Sequence, residues 1–334
     1  MKILIVTDAW HPQVNGVVRT YENTVKELKR KGHDVQLITP DKFRTIPCPT
    51  YPSIQLALFP ARKLAKLIRE FKPDAIHIAT EGPLGHAARS FCLKNSLAFT
   101  TSFHTQFPEY LRLRAPIPIS WTYAYLRHFH QPAKHTFVPT LSQKAKLVDR
   151  GFTNIVIWGR GVDTETFKPG ADIFKELPKP VFLNSGRVAM EKNIRLFLDL
   201  KLPGSKVVVG DGPDLPYLKQ LYPQVLFTGF KFGDELARHV ASADVFVFPS
   251  TTDTFGIVLL EAMACGVPVA ALPVTGPIDV VLHGITGMLD NDLEQAALAA
   301  LEIHPDNCLA YARTQTWEAC TDIFASNLVD VNSL

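Results

Sequence analysis

Four short stretches hold residue types whose spacing can do chemistry. In "PSTTDTFGIVLLEAMACGVPVAA" (249–271), Asp253 and Glu261 lie eight apart. Thr254-Phe255-Gly256 reads as a tight turn into a helix carrying Ile257, Leu260 and Ala264 on one face. Asp253 is then in the loop before that helix, near the N–H groups of its first turn, and Glu261 about two turns along. Two acceptors so placed suit a ligand rich in hydroxyls, such as a sugar and a ribose. In "NSGRVAMEKN" (184–193), Arg187 and Lys192 follow a strand five residues apart. They could clamp a diphosphate, Arg as a fork and Lys as a point charge, or be a surface pair. "GDGPDLPYL" (210–218), with Gly210 and Gly212, is a glycine-rich turn that either approaches a nucleotide or merely turns the chain. In "TDAWHPQVNGVVRT" (7–20), Asn15-Gly16 opens a helix, where bare N–H groups and the helix dipole favour a phosphate; a plain cap and turn would look the same. No G-x-G-x-x-G is present there, which argues against a dinucleotide site.

A fifth stretch is "TSFHTQFPEYLRLR" (101–114). It sets His104 where a strand runs out, ahead of a cationic apolar segment.

The elements that must hold these loops alternate. "KILIVT" (2–7) precedes Val17, Val18, Tyr21, Val25 and Leu28, spaced for one helix face that stops at Gly32. Further β-like runs stand at 34–39, 74–79, 97–103, 135–140 and 154–159, then at 180–186, 205–210, 224–229, 243–250 and 267–272. Alternation of this kind implies parallel sheets with crossover helices. Ligands of such sheets bind at the carboxyl ends of the strands, and two sheets facing each other make a cleft. Proline-rich "FKPGADIFKELPKP" (167–180) is the expected boundary between a first domain, 1–170, and a second, 171–310. A helical tail, 311–334, is expected to cross back onto the first.

At 334 residues, 46% hydrophobic and 20% charged, the chain is of globular type. No apolar run is long enough to span a bilayer, and "MKILIVTDAW" reads as a buried strand rather than a signal peptide. Five scattered cysteines read as thiols of a reducing cytoplasm. The net charge of +3 conceals an asymmetry. Residues 1–170 hold 24 Lys and Arg against 12 acids, a net of +12, and the remainder 11 against 20, a net of −9. The stretches 61–72 and 110–148 are strongly basic, the latter interleaved with Trp121, Tyr123, Tyr125 and Phe129. These segments are either a solvated basic face without a partner or a surface for a charged one; no nucleic-acid module is found, and the interleaved aromatics suit an anionic membrane better.

Together, "PQVNGVVRT" (12–20), "FHTQFPEY" (103–110), "GRGVDTETF" (159–167), "SGRVAMEKN" (185–193), "GDGP" (210–213) and "TDTFGIVLLEAMACGVPV" (252–269) resemble retaining glycosyltransferases of family 4. "HIATEGPLG" (77–85) is similar to a branch that glycosylates lipids such as diacylglycerol, alongside alpha-mannosyltransferases. The resemblance implies the α/β GT-B fold, with two Rossmann-like domains facing across a cleft. It implies transfer of a hexose from a nucleotide-sugar, UDP-linked by preference and GDP-mannose as second option, to a membrane lipid. It also implies roles. Asn15 and Gly16 would meet the donor diphosphate from the first domain. Arg187 and Lys192 would neutralise it as it leaves, and Gly210 and Gly212 would border the nucleotide. Asp253, with Thr254, Phe255 and Gly256, would hold the sugar hydroxyls. Glu261 would accept from the ribose, His104 would lie by the transferred sugar, and Glu81 and Tyr110 would be acceptor-side groups. The family pattern has glutamate where Asp253 stands, and often a glycine where Asn15 stands. No Asp-x-Asp ends a strand, so neither cofactor nor metal is expected; cations and helix N-termini would stabilise the leaving phosphate. With no carboxylate nucleophile evident, front-face attack is the expected route. The protein would work at the cytoplasmic face of the membrane as a peripheral enzyme. A sugar-nucleotide epimerase of the same fold and a non-catalytic nucleotide-sugar-binding partner are the alternatives.

Overall fold

The computed structural model describes residues 1–13, 15–48, 51–106, 108–109 and 118–333. Contacts divide the chain into two compact units, Met1–Gly159 with Trp317–Leu334, and Arg160–Thr316.

The first unit is built on a six-stranded sheet. Its strands are β1 (Lys2–Val6), β2 (Asp34–Ile38), β5 (Ala75–Ile78), β6 (Thr100–Ser102), β7 (His135–Val138) and β8 (Ile155–Ile157), in the spatial order β2-β1-β5-β6-β7-β8. All pairs are parallel. Strands buried on both faces read as continuous apolar runs, and Ile3 to Val6 are fully buried. A two-stranded antiparallel pair, β3 (Thr45–Cys48) and β4 (Tyr51–Ala57), stands apart from the sheet; the sequence reading did not foresee it.

Helices cover the sheet in two sets. Ala61–Phe71, Pro83–Lys94 and Ile119–His130 share one apolar cluster that includes Leu64, Ile68, Leu84, Ala88, Cys92 and Phe129. Gly16–Arg30, with Tyr21, Val25 and Leu28 buried as its periodicity predicts, packs against the helix Trp317–Ser326.

The second unit repeats the plan. Its strands are β9 (Val181–Ser185), β10 (Ser205–Val209), β11 (Leu226–Gly229), β12 (Val245–Phe248), β13 (Val269–Ala271) and β14 (Gly287–Leu289). They are ordered β11-β10-β9-β12-β13-β14 and all parallel. β14, only three residues long, was not expected. Topology reverses at β9, which lies between β10 and β12, so the loops after β9 and β12 leave the sheet side by side.

The division differs from the expected boundary at 170. Phe167 and Phe174 are buried in the second unit's core, and Val162 N–H bonds Gln315 O at 2.9 Å. The chain therefore enters that unit at Arg160, ahead of the prolines. The crossing back likewise starts at Trp317 rather than at 311, because Tyr311 and Ala312 pack on the second unit's core. The returning segment is fastened to the first unit by Trp158 Nε1 donating to Cys320 O at 3.1 Å and by backbone bonds Ala98 N to Val331 O and Val331 N to Asp74 O, each 2.8 Å. Its Phe324 is fully buried, 4.6 Å from the Trp158 ring and 5.3 Å from Phe137.

The aromatics interleaved with the basic stretch are split. Tyr123 and Phe129 are core residues, which corrects their expected place on a membrane surface, whereas Trp121 (72% exposed) and Tyr125 (45%) face outward. No helix among the described residues is long and apolar enough to cross a membrane. Burial pushes the thiols of Cys92, Cys265 and Cys308 up to about 12, well outside the range in which thiolates form at neutral pH.

Phe324→Ala should cost about 3–5 kcal/mol and release the returning helix. Urea denaturation and limited proteolysis read both effects; unchanged stability and unchanged protection of residues 317–333 would show that the aromatic seat does not hold the segment.

Candidate active site

In the second unit, parallel pairing of Val245 with Phe182 and Phe246 with Leu183 aligns β12 on β9. The loops beyond them carry Lys192 and Asp253, 61 residues apart in sequence, and bring Lys192 Nζ to 2.6 Å from Asp253 Oδ1. The same two loops are laced by Thr252 Oγ1 donating to Glu191 O at 3.0 Å and by Asn193 Nδ2 donating to Pro249 O at 3.2 Å. Arg187 lies half-buried on the first of them. A cation and a carboxylate thus meet at the topological switch point, where ligands of open α/β sheets bind.

Thr254 and Phe255 are buried, and Gly256 adopts φ 82°, a left-handed turn that starts the helix Ile257–Ala264. An added Cβ there would be strained by that φ and would also press within 3.1–3.2 Å of Leu259 and Phe248. Glu261, on the second turn of the helix, is buried and adds to the upward pressure on Cys265. Reading the sequence missed Gly276, which backs this loop: a Cβ on it would lie 2.9 Å from Asp253 O. Its signal is a glycine after β13 at a helix start, weak without the fold.

Gly210 and Gly212 have a structural role here. A Cβ at Gly210 would come within 1.8 Å of Gly186 O, and one at Gly212 within 2.2 Å of Val188 O. The turn is clamped to the Arg187 loop by Gly186 N to Val209 O at 3.0 Å and Val188 N to Asp211 O at 2.9 Å. These glycines therefore set the position of Arg187's backbone.

In the first unit, the loop after β1 ends at the helix Gly16–Arg30. Asn15 caps it, its Oδ1 accepting from Val17 N at 3.0 Å and Val18 N at 3.1 Å, and the cap does not involve Gly16 N. The helix Pro83–Lys94 is capped from afar by Asp8, whose carboxylate accepts from Leu84 N at 2.9 Å, Gly85 N at 3.2 Å and Thr80 Oγ1 at 2.9 Å. Burial pushes the Asp8 carboxyl upward against those donors. Glu81, one residue beyond Thr80, sits 3.1 Å from His130 Nε2, and His130 Nδ1 lies 2.9 Å from Thr101 Oγ1. His104 stands two residues past the end of β6, half-buried, with Nε2 2.8 Å from Tyr21 OH. Nearby, Lys146 Nζ donates to Gln106 Oε1 at 2.7 Å and pairs with Glu109, which also accepts from Tyr123 OH at 2.8 Å. Tyr110 lies outside the described residues. No group of three or more His, Cys, Asp or Glu able to hold a metal ion is found among the described residues.

Both units resemble known proteins in sequence. The family model Glycosyltransferase Family 4 matches residues 14–166, and Glycosyl transferases group 1 matches residues 179–306. A GDP-mannose-dependent alpha-mannosyltransferase of Mycolicibacterium smegmatis is 33% identical, over 91% of this chain and 88% of that protein. An alpha-monoglucosyldiacylglycerol synthase of Acholeplasma laidlawii is 27% identical, over 80% of this chain and 79% of that one. The solved structure of sucrose-phosphate synthase from Thermosynechococcus elongatus overlays with a TM-score of 0.77 at 20% identity, covering 97% of both chains.

The pair Lys192–Asp253 is partly exposed, at 26% and 20%, so it adds only about 0–1 kcal/mol to stability. Lys192→Ala should leave the urea midpoint almost unmoved while weakening binding of UDP or GDP by on the order of tenfold. Calorimetry reads the binding; full affinity in the variant would remove Lys192 from the site.

Proposed function

The chain belongs to glycosyltransferase family 4, with the two parallel-sheet α/β units of the GT-B fold, and we propose that it transfers a hexose, with retention, from a nucleoside diphosphate donor to a membrane lipid such as diacylglycerol or a glycolipid. The observation that carries this reading is the meeting of Lys192 and Asp253 where the topology of the second sheet reverses. Breaking a sugar–phosphate bond leaves negative charge on the departing diphosphate, and a site must hold donors ready for it. Arg187 and Lys192 supply two such cations. As the diphosphate arrives, Lys192 shares its charge between phosphate and Asp253, and Asp253 is held in register to accept from sugar hydroxyls. Thr254, Phe255 and Gly256 add backbone groups to the sugar site, Glu261 accepts from the ribose, and Asn15 and Gly16 present the first helix's N-terminus to the donor phosphate. His104 contacts the transferred sugar; Glu81 serves the acceptor. Attack occurs from the side the diphosphate leaves, and the leaving phosphate takes the acceptor's proton. The reaction proceeds without a metal ion.

The relatives weigh on both substrates. The mannosyltransferase relative favours GDP-mannose as donor, and a UDP-hexose, the preference of the sequence reading, is the other arm of the test. The diacylglycerol glucosyl relative favours a lipid acceptor. Support for docking at an anionic membrane comes from the helix Ala61–Phe71. Its Arg62, Lys63, Lys66 and Arg69 are exposed, and Phe59 just ahead of it is 94% exposed. A bare aromatic beside a basic helix is the arrangement that inserts at a lipid interface. Docking there places the enzyme at the cytoplasmic face as a peripheral protein.

Labelled GDP-mannose, UDP-glucose and UDP-galactose, each incubated with lipid extract and a chelator, should yield label in the lipid phase from one donor. Label confined to water, or recovered only after manganese is added, would overturn the proposal; donor isomerised in the absence of lipid would signal an epimerase. His104→Ala should lower turnover by on the order of 10²-fold, and wild-type turnover in that variant would remove His104 from the reaction. Vesicles with anionic lipid should retain the protein and release it in high salt, with Phe59→Ser weakening retention several-fold; equal binding to neutral vesicles would defeat the electrostatic argument.

A further inference from the structure

A buried polar group is stable only with partners, and the centre of the first unit holds four such groups in contact, Tyr21, His77, Thr100 and Ser102, with the half-buried His104 beside them. Tyr21 and His77 are fully buried, on the helix Gly16–Arg30 and on β5. The Tyr21 hydroxyl lies 2.7 Å from His77 Nε2, 2.8 Å from His104 Nε2 and 3.2 Å from Ser102 Oγ. His77 Nε2 is also 3.0 Å from Ser102 Oγ, and its Nδ1 is 2.9 Å from Thr100 Oγ1. Packing does not explain the hydroxyl. Position 21 is on the apolar face of its helix, where phenylalanine would fill the same space without a group to desolvate.

We propose that Tyr21 is a positioning residue, whose phenol, seated on His77, fixes the ring orientation and the proton tautomer of His104. The proton count shows why. Burial lowers the His77 pKa to about 3, so at working pH its ring is neutral with a single N–H. The phenol has one proton to give and, besides Ser102 Oγ at 3.2 Å, two imidazole nitrogens within reach. In one arrangement His77 Nε2–H donates to the phenol oxygen, the phenol donates to His104 Nε2, and a neutral His104 carries its proton on Nδ1. In the other, His104 Nε2–H donates to the phenol, the phenol donates to His77 Nε2, and His77 carries its proton on Nδ1 toward Thr100. With the phenol proton on Ser102 Oγ instead, both Nε2–H groups donate to the phenol oxygen and His104 has the tautomer of the second arrangement, so each arrangement assigns His104 one tautomer. Ring contacts add rigidity: His104 meets Tyr21 edge-on with centroids 5.3 Å apart, and Trp158 at 6.0 Å. A ring pinned in one plane and one tautomer contributes to a reaction without reorganising first. The functional half of this inference rests on the reading of His104 as the histidine that contacts the transferred sugar.

The test uses full-length protein with ¹⁵N-labelled histidine and no added ligand. The His104 ring signals, identified by their loss in His104→Ala, should show a single tautomer in the wild type; an even mixture would overturn the proposal using the wild type alone. In Tyr21→Phe the two nitrogen shifts should move toward the averaged values, and an unchanged pattern would overturn it. Kinetically, Tyr21→Phe should lower kcat by on the order of tenfold with the donor KM held within about twofold. Wild-type kcat in Tyr21→Phe, while His104→Ala remains impaired, would sink the link from phenol to reaction. Wild-type kcat in both variants would instead remove His104 from the chemistry and leave the tautomer result as the measure of Tyr21.

Discussion

The parallel pairing of β9 with β12 is the constraint from which the second unit's chemistry follows. Two strands more than fifty residues apart in sequence are neighbours in the sheet, hydrogen-bonded in register at Phe182 and Leu183. Parallel strands point their carboxyl ends the same way, so the segments that follow must share one edge. That edge holds the Lys192–Asp253 pair and the bonds from Thr252 and Asn193 that lace the two loops. An antiparallel β12 would have sent Asp253 to the opposite end of the sheet. The glycines of the 210–213 turn serve the same constraint from the β10 side, because only residues without a Cβ let that turn lie on the backbone of the Arg187 loop.

In the first unit the same edge is handled differently at each helix start. The orphan N–H groups of a helix N-terminus demand acceptors. The helix Pro83–Lys94 satisfies its own with a carboxylate from the neighbouring strand's loop, Asp8, whose closeness requires glycine at 82: a Cβ there would lie 2.4 Å from Asp8 Cγ. The helix Gly16–Arg30 is capped by the local amide of Asn15. One helix start is filled by a charge from within the protein and the other carries a neutral cap. Imidazoles meet the middle of the sheet, His77 from β5 and His130 from the end of the helix Ile119–His130. His77 and His130 are both fully buried, and each is tied through side-chain oxygens of β6 residues, to Thr100 and Ser102 in one case and Thr101 in the other. β6 thus presents alternate hydroxyls to the two faces, as strand periodicity requires.

Much of the architecture was legible beforehand. Runs such as "KILIVT" and "ADVFVFPS" announced central parallel strands, and the spacing of Val18, Tyr21, Val25 and Leu28 announced the first helix, because local periodicity reports burial directly. β14 and β3 escaped, since three or four residues carry too little periodicity to read, and the seven residues of β4 escaped because Pro52 within the run argues against a strand. The boundary was placed late because prolines at 169, 178 and 180 look like a linker, yet Phe167 and Phe174 between and before them are core residues.

By itself, the sequence determined which residue types stand at the ends of strands: a histidine after β6, two cations after β9, an aspartate after β12 and an Asn-Gly pair before the first helix. It could do so because each of these facts is local to one run and the turn that ends it. Only the tertiary structure decided who meets whom. Lys192 pairs with Asp253, Glu81 approaches His130, Tyr123 is drawn into the core, and the phenol of Tyr21 reaches His77 and His104 together. The pairings among these are contacts across 49 to 83 positions, and hydrogen bonds of that range leave no periodic trace in a chain.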